Sequence, residues 1–264
     1  MPTAAMTIAH RLAGPPVRRL LRPRVDGLEH VPLHGGVLLA ANHVSNLDNY
    51  LLSSVCPRPA WYLGKRELAR GLFGAFNVAT GMVPVDRGSG GRAAIERLVA
   101  LLGDGEVVAV FPEGTRSPTG ELFRFRSGVA RIACAADVPV VPVGLRGTAA
   151  VWPRGGGPRL HRPAAGALEV RFGPALEPPP EGGRSRRLWT ATLRAKVATL
   201  SGQPTADAFA PGPAGGRSND ELRGAGVRET SRILVPRNTR RTGSAGQETR
   251  GGPAPPGRDT GHQV

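Results

Sequence analysis

Cysteine is almost absent from this chain of 264 residues, and long apolar runs are missing. Only Cys56 and Cys134 occur, each among apolar neighbours, so we expect buried thiols, no disulfide framework and a reducing compartment. No apolar run reaches the roughly 18 residues of a membrane-spanning helix, so none is predicted. Polar His10 and Arg11 interrupt the N-terminal apolar stretch, and we expect no cleaved signal peptide.

Lysine, acidic residues and aromatic residues are also scarce. Of the 35 basic residues only Lys65 and Lys196 are lysine, and 20 acidic residues leave a net charge of +15. This charge indicates an anionic partner: a nucleic acid, an anionic membrane surface or a phosphate-bearing substrate. Aromatic residues make up 5% and do not cluster with the arginines, so we expect no nucleic-acid partner.

Short apolar runs alternate with helical periods between residues 36 and 201, where we predict one folded domain. The predicted strands lie at 37–41, 61–63, 82–85, 107–111, 138–145 and 168–172. Between and after them, apolar residues fall on one helical face at 92–102, 127–136 and 184–200. This alternation predicts an α/β fold, a single layered domain with a largely parallel central sheet flanked by helices.

Two flanking segments differ from this domain in composition. Residues 1–35 are basic and amphipathic, and Pro15-Pro16 predicts a split into two short segments. This part either lies at a membrane surface or forms an ordinary solvated face of the domain. Residues 202–264 are rich in Gly, Pro and Arg with few apolar residues, so we predict a disordered tail.

A histidine and an aspartate follow the first predicted strand. Asn42 and His43 end the apolar run, and Asp48 stands five residues after the histidine, where the next helix begins. An imidazole oriented by a carboxylate is a general base suited to activating a hydroxyl near pH 7. Taken alone, the pair is more simply explained as a turn residue and a helix cap.

A second group of polar residues follows the strand at 107–111. Pro112, Glu113 and Gly114 predict a turn, and Thr115 and Arg116 come directly after it. Glycine lets an anion approach the backbone, and a guanidinium group matches phosphate oxygens in geometry. This turn therefore predicts an anion-binding loop.

Three further positions carry weaker signals. Arg87 precedes a glycine-rich turn and a helix, which is typical of an anion cradle, although an Asp-Arg pair taken alone more often forms a surface ion pair. Pro142 lies inside the strand at 138–145 and requires a sheet edge or a bulge. Lys65 follows another strand, where it either faces a phosphate or is simply solvated.

Together these blocks resemble the glycerolipid acyltransferase family, that is, the lysophosphatidic acid acyltransferases and their relatives. The resemblance covers roughly residues 25–175. It rests on N-H-x4-D ending at Asp48, V-D-R ending at Arg87, F-P-E-G-T-R ending at Arg116 and V-P-V around Pro142. Members often have a lysine where this chain has Arg126, which keeps the charge but changes its geometry.

The resemblance implies an O-acyltransferase that acylates lysophosphatidic acid to phosphatidic acid. His43 would take the proton from the acceptor hydroxyl, and Asp48 would hold the imidazole. The acceptor phosphate would be bound by Arg87, Glu113, Gly114, Thr115 and Arg116. Supporting roles are expected for Asn42, Lys65, Arg126 and Pro142.

The same resemblance implies the partners and the location. The acyl donor would be acyl-CoA or acyl-carrier protein, and we expect no cofactor and no metal. The protein would be cytoplasmic and bound peripherally to the inner face of the cell membrane, at an anionic membrane surface. Alternatives are another acceptor (glycerol 3-phosphate, another lysophospholipid or a glycolipid), or a non-enzymatic protein that binds anionic lipid or nucleic acid.

Overall fold

A seven-stranded sheet with helices on both faces forms the frame of the domain. We describe it from a computed structural model, in which residues 4–85, 91–159 and 162–211 are described. The strands are β1 Arg24–Asp26, β2 Val37–Ala41, β3 Ala60–Lys65, β4 Met82–Val85, β5 Val107–Val110, β6 Leu122–Arg124, β7 Val140–Arg146, β8 Glu169–Phe172 and β9 Thr205–Phe209. The helices are α1 Ala4–Leu21, α2 Leu47–Val55, α3 Gly71–Ala79, α4 Gly91–Gly103, α5 Gly128–Ala136, α6 Thr148–Val151 and α7 Gly183–Ser201.

The strand order is β1-β8-β7-β2-β5-β3-β4, and five of its six pairings are parallel. The exception is the antiparallel pair of β7 and β8. Strand β2 lies at the centre, where Leu39 is aligned with Ala109 of β5 and Val141 of β7. The predicted layered α/β fold is thereby confirmed.

Alternating residues of β2 supply the two hydrophobic layers, since successive strand side chains point to opposite faces. Leu39 packs in the layer that includes Leu51 of α2. Leu38 packs in the opposite layer, with Leu98 of α4 and Leu193 of α7. Full burial of each such leucine contributes about 1.5–3 kcal/mol, so the central strand anchors both layers.

Pro142 lies inside β7, which is not an edge strand of the sheet. Its carbonyl accepts a hydrogen bond from Gly173 N, just past the end of β8 at Phe172. Pairing resumes only as a single bridge between Val140 and Leu176. Pro142 therefore lies where the neighbouring segment leaves the β7–β8 ladder, an irregularity of the kind that tolerates proline within a sheet.

Helix α1 differs from the predicted split at Pro15-Pro16, because it runs through both prolines. Each proline removes a backbone N–H from the helical ladder. The helix nonetheless packs along α2, and Gly14 approaches it so closely that an added Cβ would lie 3.4 Å from Ser54 O. Tertiary packing thus outweighs the local loss. Since β1 also joins the sheet, most of segment 1–35 is part of the domain.

The fold continues past residue 201, where the disordered tail was predicted to begin. Strand β9 pairs with β6, and Arg194 of α7 donates to the carbonyl oxygens of Leu122, Phe123 and Ala206. Such long-range pairing leaves no compositional signal. The predicted tail therefore starts too early. Its remainder, residues 212–264, lies outside the described residues.

Among the helices of these described ranges, none combines the length and apolar character needed to cross a bilayer.

Candidate active site

The polar motifs meet at the carboxyl ends of three neighbouring strands. His43 follows β2, Glu113 follows β5, and Thr148 begins α6 just after β7. Because β5, β2 and β7 are adjacent and parallel, the loops after them share one edge of the sheet. Ligand sites of open α/β sheets form at this edge.

His43 and Asp48 are in direct contact, as the motif predicts. His43 Nδ1 lies 2.8 Å from Asp48 Oδ2. The carboxylate side chain is fully buried, whereas the imidazole is 15% exposed. A nitrogen that faces a carboxylate carries the proton, so we assign the hydrogen to Nδ1 and the free lone pair to Nε2.

The Asp48 carboxylate has three further hydrogen-bond donors. The backbone amides of Val44 and Ser45 donate to Oδ2 at 2.8 Å each, and Thr148 Oγ1 donates to Oδ1 at 2.6 Å. Asp48 also lies in the first turn of α2, where the helix dipole favours negative charge. These contacts compensate a buried charge that would otherwise be costly.

The imidazole is also held from its face and through its backbone. Its ring stacks on Phe111 with 4.0 Å between centroids and 21° between planes. Ser117 N donates to the carbonyl oxygen of His43 at 2.7 Å. The loop after β5 therefore borders the histidine on two sides.

Glu113 has a different position from the predicted one. It is fully buried, and its two carboxylate oxygens accept the amides of His43 and Phe123 at 2.9 and 3.1 Å. A side chain enclosed in this way does not contact an acceptor phosphate directly. Glu113 instead links the loop after β2 to the loop after β5 and to β6.

Burial raises the pKa of Glu113 to about 7, and the nearby Asp48 charge adds to the rise. The amides of His43 and Phe123 and the charge of Arg194 oppose it. The carboxyl group therefore titrates in the neutral range, far from its ordinary value.

Gly114 brings the loop after β5 close to an arginine. Its φ of +78° is open to glycine at little cost, and an added Cβ would lie 2.8 Å from Arg126 Nε. Arg126 donates to the carbonyl oxygen of Glu113 at 3.4 Å and stands 5.8 Å from the Phe209 ring centroid. Thr115 and Arg116 are half-buried in the same loop.

The remaining predicted site residues are spread over the sheet edge. Asn42 is buried and exchanges two hydrogen bonds with the backbone of Leu145, so it joins β2 to β7 rather than facing a ligand. Lys65 is exposed at the end of β3, aligned with Val85. Arg87 lies outside the described residues. Pro142 lies within β7.

Residues that the motifs did not reveal complete the site. Thr148 contacts Asp48 across 100 positions of sequence, and the only signal for it is a Gly-Thr pair after a buried strand. Tyr50 stacks on Trp152 with 6.1 Å between centroids, while Ser45 Oγ donates to the carbonyl oxygen of Trp152.

No cluster of three His, Cys, Asp or Glu side chains suited to a metal ion occurs within the ranges described.

Comparisons with known proteins agree with the arrangement of motifs. Residues 22–146 match the family model described as Acyltransferase. A 1-acyl-sn-glycerol-3-phosphate acyltransferase of Pseudomonas aeruginosa is 31% identical over 170 residues, 62% of this chain and 63% of that protein. The Bacillus subtilis protein of the same name is 32% identical over 126 residues, 47% of this chain and 62% of that protein.

The fold has a solved counterpart. The crystal structure of a 1-acyl-sn-glycerophosphate acyltransferase of Thermotoga maritima matches with a TM-score of 0.56 at 22% identity, over 74% of this chain and 79% of that one. This likeness supports the fold. The chain spans less than two thirds of the length of the two curated bacterial relatives it matches.

The raised pKa of Glu113 gives a test by pH. Below about pH 4.5 its stabilising effect is fully present, and it is lost as pH rises through the folded pKa of about 7. The unfolding free energy of the parent protein should therefore fall between pH 5 and pH 8 by about 1–3 kcal/mol more than that of Glu113→Gln.

The measurement is denaturant unfolding at several pH values. Glu96→Gln serves as the matched control, because Glu96 is exposed on α4, and it should keep the pH dependence of the parent protein. An identical slope for parent and Glu113→Gln would contradict the assignment.

Proposed function

We propose that the chain acylates lysophosphatidic acid, because residues 22–146 match the family model described as Acyltransferase. A fatty acyl group would pass from an acyl thioester to the free hydroxyl of the acceptor, giving phosphatidic acid. The observation that carries the proposal is the contact of the half-buried His43 with the buried Asp48. The names of the curated relatives in Pseudomonas aeruginosa and Bacillus subtilis support the choice of acceptor.

In the proposed reaction His43 acts as the general base. With its proton on Nδ1, the ring uses the Nε2 lone pair to take the proton from the acceptor hydroxyl. The oxygen attacks the thioester carbonyl carbon, forming a C–O bond. When the tetrahedral intermediate collapses, the C–S bond breaks, and the imidazolium returns its proton to the thiolate. Asp48 stabilises the imidazolium throughout.

The acceptor phosphate is assigned to the cationic side of the site. Gly114, Thr115 and Arg116 form the loop, and Arg126 borders it. Guanidinium groups suit a phosphate because their parallel N–H bonds match two of its oxygens. We include Arg87 and Lys65 as further candidates, on the strength of their positions in the chain.

The donor would be acyl-CoA or acyl-carrier protein, and we propose that no other cofactor takes part. The base, the leaving thiolate and the returned proton account for every bond that forms or breaks.

We also propose that α3 meets the membrane that holds the acceptor. Leu72 is 93% exposed and Phe73 is 53% exposed. Exposed Lys65, Arg66 and Arg70 precede the helix directly. Apolar side chains beside basic ones suit the headgroup region of an anionic bilayer.

The position of α3 next to the site supports this role. Tyr50, two residues after Asp48, donates to Asn77 Oδ1 of α3 at 2.8 Å. Helix α1 packs in the same layer, and its Leu12 and Leu20 are also exposed. A membrane against this layer would bring a lysophospholipid near His43. We propose that the protein attaches to the inner face of the cell membrane, because its acyl donor would be supplied from the cytoplasm.

Replacing His43 tests the reaction. His43→Ala should lower the rate of acyl transfer by about 10²–10⁴, because the general base is lost, while the folded structure is kept. Purified protein is assayed with labelled acyl-CoA and acyl-carrier protein, and folding is followed by circular dichroism. His34→Ala, at an exposed loop position, is the control and should keep the parent rate.

The same assay identifies the acceptor. Lysophosphatidic acid should be acylated faster than glycerol 3-phosphate, other lysophospholipids or a glycolipid. Faster acylation of another acceptor would leave the proposed acyl-transfer reaction intact but overturn the choice of lysophosphatidic acid as its acceptor. Full activity in folded His43→Ala would overturn the mechanism, and lipid binding without acyl transfer by the parent protein would favour a non-enzymatic role.

The membrane role of α3 predicts a change in vesicle binding. The double variant Leu72→Ser, Phe73→Ser should partition roughly tenfold more weakly to vesicles that contain equal amounts of phosphatidylglycerol and phosphatidylcholine, because two apolar contacts with the bilayer are lost. Binding of the parent protein should also fall as salt rises. Co-sedimentation measures both.

Leu188→Ser is the matched control, because Leu188 is 63% exposed on α7, in the opposite layer. Equal losses for the control and the α3 variant would contradict a specific membrane face, as would equal binding to neutral vesicles.

A further inference from the structure

Thr148 contacts the Asp48 carboxylate from the start of α6, a segment that the motif of His43 and Asp48 does not include. It follows Gly147, whose φ is +81°, and begins α6 immediately beyond β7. The threonine is fully buried. Its hydroxyl donates to Asp48 Oδ1 at 2.6 Å, which is the shortest of the four hydrogen bonds described for the Asp48 carboxylate.

The surrounding contacts fix the backbone of this segment against the loop after β2. Asn42 exchanges hydrogen bonds with the backbone of Leu145, and Ser45 Oγ donates to the carbonyl oxygen of Trp152. These contacts hold the loop after β2 against the segment after β7, one on either side of Thr148 in the sequence. The backbone that carries Thr148 is thus held in place by hydrogen bonds on both sides, and this fixes the position from which its hydroxyl donates to Asp48.

The two oxygens of Asp48 are held by different parts of the chain. Oδ2 accepts from His43 Nδ1 and from the amides of Val44 and Ser45, all within one loop. Oδ1 accepts from Thr148, at the start of α6. A buried oxygen that loses its donor carries a penalty, and rotation of the carboxylate toward another donor would relieve it. That rotation would move Oδ2 away from Nδ1.

We propose that Thr148 is a positioning residue for acyl transfer, holding the Asp48 carboxylate in the rotation that orients His43. It touches neither the acceptor nor the thioester. Its hydroxyl acts through Asp48, and through Asp48 it sets the direction of the Nε2 lone pair. The proposal rests on the proposed function, because it assigns Thr148 a role in that same reaction.

The first test compares three variants in the acyl-transfer assay. Thr148→Val keeps the shape of the side chain but removes the hydroxyl, and should lower kcat about tenfold to a hundredfold, with KM for both substrates changed less than about twofold. Thr148→Ser restores a hydroxyl and should recover most of kcat. Thr190→Val is the control, since that hydroxyl bonds only to the backbone of its own helix in the contacts described, and it should match the parent protein.

A double-mutant cycle separates an effect of Thr148 that acts through Asp48 from an effect of Thr148 on packing alone. In an Asp48→Asn background, Thr148→Val should cost less than about twofold further, because the hydroxyl acts through a carboxylate already lost. Additive losses would indicate an independent packing effect and overturn the proposal. A Thr148→Ser variant that is folded but as slow as Thr148→Val would overturn it as well.

Two outcomes need a readout other than the rate. An inactive parent protein would overturn the proposed function, and the orientation of His43 is then tested by the Nδ1 proton resonance, which should shift or broaden in Thr148→Val and recover in Thr148→Ser. If Thr148→Val does not fold, Thr148→Ala and Thr148→Ser at low temperature carry the same comparison. An Nδ1 proton resonance unchanged by loss of the hydroxyl would contradict the proposal.

Discussion

The buried carboxylate of Asp48 is the constraint around which this site is built. A charge removed from water must be matched by donors, and here the donors come from the imidazole of His43, from two amides of its own loop and from Thr148. Meeting that requirement fixes the ends of β2 and β7 relative to each other. The orientation of His43 is therefore a consequence of satisfying Asp48.

A second buried carboxylate, Glu113, performs a related task on the other side of β2. Its oxygens accept the amides of His43 and Phe123, so it ties the histidine to the loop that carries Gly114. Asp48 thus orients the proposed base, and Glu113 sets the distance between that base and the loop proposed to bind the acceptor phosphate. The charge of Asp48 also contributes to the raised pKa of Glu113.

Most strands and helices, and the layered α/β fold that they form, were predictable from sequence, because short apolar runs and helical periods depend on local spacing. The motifs likewise predicted the contact of His43 with Asp48, and the match of residues 22–146 to the acyltransferase family model confirms the resemblance drawn from them. The continuous α1, strand β9 and the contact of Thr148 with Asp48 were missed, since each depends on partners distant in the chain. The burial of Glu113 was missed for the same reason: a turn motif says nothing about what covers it.

The proposed chemistry requires that the free lone pair of the His43 imidazole lies on Nε2, with the proton held on Nδ1 by Asp48. Nuclear magnetic resonance of protein labelled with ¹⁵N at histidine measures this directly, with His43→Ala used to assign the signals. We expect that, when the ring is neutral, the Nδ1 nitrogen of His43 carries the proton and Nε2 does not. A neutral His43 ring protonated on Nε2 would contradict it.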